Sequence, residues 1–179
     1  MPTGPYFLTT ARLGFRPWRA EDVELAVALW GEPAVARFLY ADGPPSRAAI
    51  VERLAREIAT QAEHGFQYWP VFRLEDGANV GCCGLRPYRS EEGLHEFGVH
   101  LRSAFWRQGL AHEAGVAARD YSFRDLHARG LFAGHHPGNG ASGAMLRKLG
   151  FRYTHDELYG PTGLHHPSYL LDFGGEART

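Results

Sequence analysis

The chain is 179 residues long, with 44% hydrophobic and 13% aromatic residues. That composition suits one packed domain and excludes a disordered chain or a pair of ordinary domains. A formal net charge of −1 lacks the basic surplus of a general nucleic-acid binder, and no run of about 18 apolar residues is present to span a membrane. No basic and apolar leader precedes the first apolar segment, so the cytoplasm is the expected location, with neither nucleic acid nor membrane as a partner.

Residues 8–18, apolar and β-branched between Gly4-Pro5 and Pro17, predict a first strand. Residues 21–30 repeat apolar side chains at Val23, Ala26, Val27 and Trp30, a helical spacing opened by Glu21 and Asp22. Gly43-Pro44-Pro45 breaks the chain. Ser46 then caps a helix that Gly65 ends, with Ile50, Val51, Leu54, Ile58 and Ala62 as its expected buried face. Three strands follow, 67–74, 79–88 and 94–101, separated by turn-forming residues and simplest as an antiparallel meander. The only cysteines, Cys82 and Cys83, are adjacent in the second of these, where side chains alternate between faces, so a mutual disulfide is not expected. A helix over about 109–126, a short strand 131–135, a short helix 140–149 and strands 151–158 and 168–173 complete the chain. The expected fold is α+β (mixed α/β). It is a single domain over 1–179 with its core at about 8–173, built on a mostly antiparallel mixed sheet of about six to seven strands with helices on both faces.

The chemically informative segment is Glu96-Phe97-Gly98-Val99-His100-Leu101, a strand, followed by Trp106-Arg107-Gln108-Gly109-Leu110-Ala111-His112, which opens a helix. Gly109 and the small Ala111 let the backbone approach an anion, and the unpaired amides of a helix N-terminus point at it. Neither the Gly-Lys-Ser/Thr ending of a P-loop nor three spaced glycines of a dinucleotide site are present. A different phosphate-bearing cofactor is indicated.

Trp106-Arg107-Gln108-Gly109-Leu110-Ala111 resembles the coenzyme A pyrophosphate loop of the GNAT acetyltransferase superfamily. Asn139-Gly140-Ala141-Ser142, with Met145-Leu146-Arg147-Lys148-Leu149-Gly150-Phe151, resembles that family's later Asn-x-x-Ser/Ala helix ending in Leu-Gly-Phe. The opening Leu13-Gly14-Phe15-Arg16-Pro17-Trp18 is also similar, and Trp106 is similar to the branch that acetylates ribosomal-protein N-termini and small amines. The resemblance implies acetyl-CoA as donor, with no metal. The acceptor is an amine, either a protein N-terminus or a small molecule, and a homodimer is possible.

It further implies cofactor contacts from Val99, His100 and Leu101 on the strand, from Arg107, Gln108, Gly109, Leu110, Ala111 and His112 at the loop, and from Asn139, Ser142 and Arg147 on the later helix. Glu96 is the candidate base and Ser142 the candidate acid for the thiolate. The bland readings remain beside them: a solvated strand carboxylate, a helix-face hydroxyl, and an N-cap for Asn139. His100 is a second candidate base, since an ordinary imidazole titrates near 6.5. Leu146 stands where many members carry a tyrosine acid, which leaves open a catalytically inactive coenzyme A-binding or regulatory domain of the same fold.

Overall fold

The computed structural model describes residues 5–172. Its elements are β1 (Leu8–Thr9), β2 (Leu13–Phe15), α1 (Val23–Trp30), α2 (Pro33–Ala36), α3 (Arg47–His64), β3 (Tyr68–Arg73), β4 (Asn79–Arg89), β5 (Leu94–Leu101), α4 (Leu110–Arg124), β6 (Gly130–Gly134), α5 (Gly140–Lys148), β7 (Arg152–Tyr159) and β8 (Leu164–Asp172). They form one eight-stranded sheet in the order β1-β2-β3-β4-β5-β6-β8-β7. Every neighbouring pair is antiparallel except β5 with β6.

The sheet has one strand more than expected because residues 8–18 do not run straight. The Thr10 hydroxyl accepts from the Leu13 amide at 3.0 Å and the Thr10 amide donates to the Leu13 carbonyl at 2.8 Å. The chain therefore turns back on itself as a short hairpin. The last strand starts at Leu164, earlier than its sequence signal, since β7 pairs with it from Tyr159↔Leu164 to Arg152↔Leu170. The expected strand end at Phe173 lies outside the described residues.

Two apolar cores cover the two faces of the sheet. One gathers Phe15, Val71, Cys83, Leu85, Phe97 and Leu131 against Leu110, Ala114, Ala118 and Leu146 of α4 and α5. The other gathers Tyr68 and Cys82 against Trp30, Leu29, Ile50 and Leu54 of α1 and α3. The adjacent cysteines thus enter opposite cores, as strand alternation dictates, and both are free.

α3 begins and ends at its sequence signals: Ser46 Oγ accepts from the Ala49 amide at 3.2 Å, and Gly65 takes the left-handed φ of 78° that closes it. Its buried face is rotated from the expected one. Ile50 and Leu54 are buried, yet Val51 and Ala62 are exposed, and Arg53 and Glu57 fill the remaining inward positions. Two charged residues therefore occupy the stripe that periodicity assigns to apolar ones.

Candidate active site

The parallel contact between β5 and β6 covers only Leu94↔Gly130, His95↔Leu131 and Glu96↔Phe132. β5 continues to Leu101 and β6 to Gly134 without further pairing, so the sheet opens. The opening is a cleft of about 1030 Å3 lined by Phe97 to Leu101 on one side and Ala133, Gly134 and His135 on the other.

The direction of the free backbone groups follows from the register. The Leu85 amide donates to the Gln67 carbonyl on the β3 side, so Gly84 and Arg86 direct their backbone groups at β5, opposite Gly98 and Glu96. Alternation along β5 then turns the backbone of Val99 and Leu101 toward the opening. The Leu101 carbonyl is taken by the Trp106 indole N–H at 2.7 Å, which ties the following loop to the strand end. The Val99 amide, on a residue that the resemblance places against the cofactor, faces the cleft.

Beyond that loop, the amides of Arg107 through His112 have no hydrogen-bond acceptor among the described residues. Arg107 and Gly109 both hold positive φ, 60° and 75°, which curls the backbone ahead of α4 and gathers these donors into one concavity, a geometry suited to an anion. A clamp behind the loop holds the curl. Glu113 accepts from the Thr10 hydroxyl at 2.5 Å and from Arg12 N and Nε at 2.9 and 2.6 Å, while Arg12 Nη1 donates to the Gln108 carbonyl at 2.9 Å. Burial raises the Glu113 carboxyl, but these hydrogen bonds outweigh it and hold it below its ordinary range. Glu113 thus forms a structural ion pair with Arg12 behind the loop.

The opposite wall belongs to the α1–α3 face and is polar. The Tyr68 hydroxyl donates to Glu96 Oε1 at 2.7 Å. Burial and the Glu96 charge hold the Tyr68 phenol well above its ordinary range, so it stays a donor. The pair meets over Gly98, where any Cβ would collide with the Tyr68 ring and hydroxyl. Glu57 is almost fully buried and binds Arg86 through Nε at 3.1 Å and through Nη2, and the Tyr68 amide at 3.1 Å. Arg86 in turn lies 4.2 Å over the Tyr68 ring.

His100 shares this face. Its Nδ1 lies 3.4 Å from the Trp30 indole nitrogen, a donor only, so Nδ1 is the acceptor and the ring proton sits on Nε2. Burial first, then the charges of Arg53 and Arg86, push the His100 imidazole well below 6.5. His100 is therefore held as a neutral ring against Trp30 and Cys82 at the foot of this wall.

Of the residues singled out from sequence, the cleft brings together Glu96, Val99, His100, Leu101, Arg107, Gly109, Leu110, Ala111, Asn139 and Ser142. Asn139 caps α5, its Oδ1 accepting from the Ser142 amide at 3.3 Å. Three side chains lie elsewhere. Gln108 Nε2 donates to the Ala104 carbonyl at 3.1 Å, His112 lines a separate groove beside Arg12 and Glu113, and Arg147 reaches the Tyr169 hydroxyl at 3.4 Å. Gln108 and His112 contribute main-chain amides to the loop and no side chain to the cleft. Leu146, at the position of the common tyrosine, is 2% exposed and presents no proton. Arg53, Glu57 and Arg86 were not named from sequence, whereas Tyr68 was expected only as an aromatic wall of the acceptor pocket and not as a partner of Glu96. The one available signal was the placement of Arg53 and Glu57 on the inward stripe of α3.

Residues 12–152 match the acetyltransferase (GNAT) domain family, and the chain belongs to it. It is an acetyltransferase. It is 26% identical over 149 residues to an uncharacterized N-acetyltransferase, p20, of Bacillus licheniformis, covering 81% of this chain and 82% of that one. It is 30% identical over 149 residues to an uncharacterized protein, YkkB, of Bacillus subtilis, covering 82% and 86%. Among solved structures, a GNAT-family acetyltransferase from Bacillus anthracis superposes with a TM-score of 0.78 at 18% identity, covering 92% of this chain and 97% of that one. The RimL ribosomal L7/L12 alpha-N-protein acetyltransferase in complex with coenzyme A superposes with a TM-score of 0.77 at 17% identity, covering 91% and 95%. No helix among the described residues is long and apolar enough to cross a membrane.

Proposed function

We propose that the protein is an acetyl-CoA-dependent N-acetyltransferase that passes the acetyl group directly to an amine held in the same cleft, the amine being a protein N-terminus or a small molecule. The observation that carries this reading is the break between β5 and β6. It leaves the Val99 amide free on one side of a short strand segment and sets the Glu96 carboxylate on that segment's α1–α3 face. The run of unpaired amides from Arg107 to His112 fits a pyrophosphate, and the coenzyme A bound by the RimL relative supports the same ligand here. Acetyl-CoA supplies an activated thioester carbonyl.

The residues divide the work. The Val99 amide donates to the carbonyl oxygen as negative charge grows there. Glu96, oriented by Tyr68, takes a proton from the amine, directly or through one water. The Ser142 hydroxyl, in the first turn of α5, gives its proton to the leaving thiolate and recovers one from solvent, while Glu96 releases the amine proton to solvent; Asn139 caps that helix end at the cleft. Direct transfer also fits the cysteines. Burial raises the Cys82 thiol to about 12 and Cys83 well above its ordinary range, so neither offers a thiolate to carry the acetyl group.

Thermal unfolding with excess acetyl-CoA tests the donor: ligand at about 100 times its Kd adds roughly 2.7 kcal/mol of stability, with ATP and NAD as controls. Thiol release across an amine panel tests the chemistry. Glu96→Gln is expected to cut turnover about 100- to 10,000-fold and Ser142→Ala by less, with acetyl-CoA binding kept in both. Tight binding with no transfer to any amine would instead support a regulatory coenzyme A-binding domain.

A further inference from the structure

We propose that Arg53 is a specificity residue that selects acceptor amines carrying a carboxylate or a comparable anionic group, an inference that rests on the acetyl-transfer reading and names its substrate class. Arg53 lies on α3, one turn before Glu57, and is only 8% exposed. Its guanidinium stacks 4.2 Å from the centre of the Trp30 ring, and its Nη1 donates to the Tyr40 hydroxyl at 2.5 Å. Nε is sealed from solvent with no hydrogen-bond partner, and no ion pair joins Arg53 to any carboxylate among the described residues.

The nearby carboxylates are already engaged. Glu57 gives one oxygen to Arg86 and the other to the Tyr68 amide, and Glu96 takes the Tyr68 hydroxyl. Arginine almost never lies this deep unless paired. Arg53 lines the cleft on the same wall as Glu96 and His100, where apolar rings reduce screening of its charge. Its planar fork matches a carboxylate, and its Nη2 remains free to supply a second hydrogen bond. The exposed Arg37 and Arg56 at the cleft margin add to the attraction. A ligand anion thus completes a buried cation, and the amine beyond it is turned toward Glu96 and the Val99 amide. A neutral amine leaves Arg53 uncompensated.

The test compares free amino acids with aliphatic, aromatic and acidic side chains against their carboxamides as acceptors, in wild type, Arg53→Gln and Arg53→Lys. The ratio of kcat/KM for carboxylate over carboxamide, divided between wild type and variant, cancels the intrinsic reactivity of each amine. Loss of one charge-assisted hydrogen-bonded contact is expected to lower that ratio about 10- to 100-fold in Arg53→Gln, with partial recovery in Arg53→Lys and unchanged acetyl-CoA affinity. A ratio equal in wild type and Arg53→Gln, or an equal loss on both acceptors, overturns the proposal.

If Arg53→Gln does not fold, wild-type inhibition by 3-phenylpropionate and by 3-phenylpropionamide decides: equal inhibition overturns it, and at least tenfold tighter carboxylate binding supports it. Carboxylate binding by calorimetry that is lost in Arg53→Gln, with no acetyl transfer to any acceptor, supports the anion site while refuting acetyl transfer.

Discussion

Replacing Glu113 with Ala should loosen the loop ahead of α4 from behind. The carboxylate accepts from the Thr10 hydroxyl, the Arg12 amide and the Arg12 guanidinium, and Arg12 in turn holds the Gln108 carbonyl. The Arg12 and Glu113 side chains are 49% and 19% exposed, so solvent screening limits the ion pair to at most about 1 kcal/mol. The part-buried hydrogen bond from Thr10 and the exposed one from the Arg12 amide add about 0.5 kcal/mol each. A total near 2 kcal/mol corresponds to a Tm lower by about 4–8 °C for a domain of this size. If half of that energy holds the loop in its ligand-ready curl, the Kd for acetyl-CoA rises about fivefold. Differential scanning fluorimetry gives the first number and isothermal titration calorimetry the second. A reduced Tm with Kd changed by less than twofold would show that the clamp supports the fold without positioning the loop.

The remaining expectations concern protons and thiols. His95, His100, His135 and His166 are all held below the ordinary imidazole value of 6.5, chiefly by burial. The unfolded chain therefore binds more protons than the folded one as pH falls. Their contribution to stability is complete above about pH 6.5 and erodes below it. Urea midpoints measured from about pH 8 to pH 5 should decline on the acid side, with a shallower decline in His100→Gln; a flat or rising profile would contradict the buried neutral assignments. Cys82 and Cys83, both fully enclosed, should resist a chromogenic disulfide reagent until denaturant is added, and rapid labelling of either in the native protein would place it wrongly.

The elements that sequence alone located are those written in local signals. Ser46 and Gly65 bracket α3 because a side-chain cap and a left-handed glycine act within one turn, and the β3–β5 meander is marked by its polar, glycine-bearing turns. The curl with free amides ahead of α4 was legible for the same reason, since Gly109 and the following helix start are contiguous. What escaped depends on register across distance. Tyr68 meets Glu96 only because β3, β4 and β5 align Tyr68↔Gly84 and Gly84↔Gly98, a relation no window of sequence displays. Arg53 and Glu57 were hidden by the assumption that charges on an amphipathic helix face water. The short hairpin at the start was missed because Thr10 acts there through a side-chain hydrogen bond that strand propensity ignores.

The three-residue contact between β5 and β6 also makes the sheet a hinged object. Strands β1 to β5 form one leaf and β6, β8 and β7 the other, joined along the sheet only by Leu94–Glu96 against Gly130–Phe132. If acetyl-CoA occupies the opening as proposed, it lies between both leaves and acts on them as a removable splint. Amide exchange in residues 94–96 and 130–132 should then slow on donor binding more than at the centre of the meander, and the leaves should regain their play each time product departs.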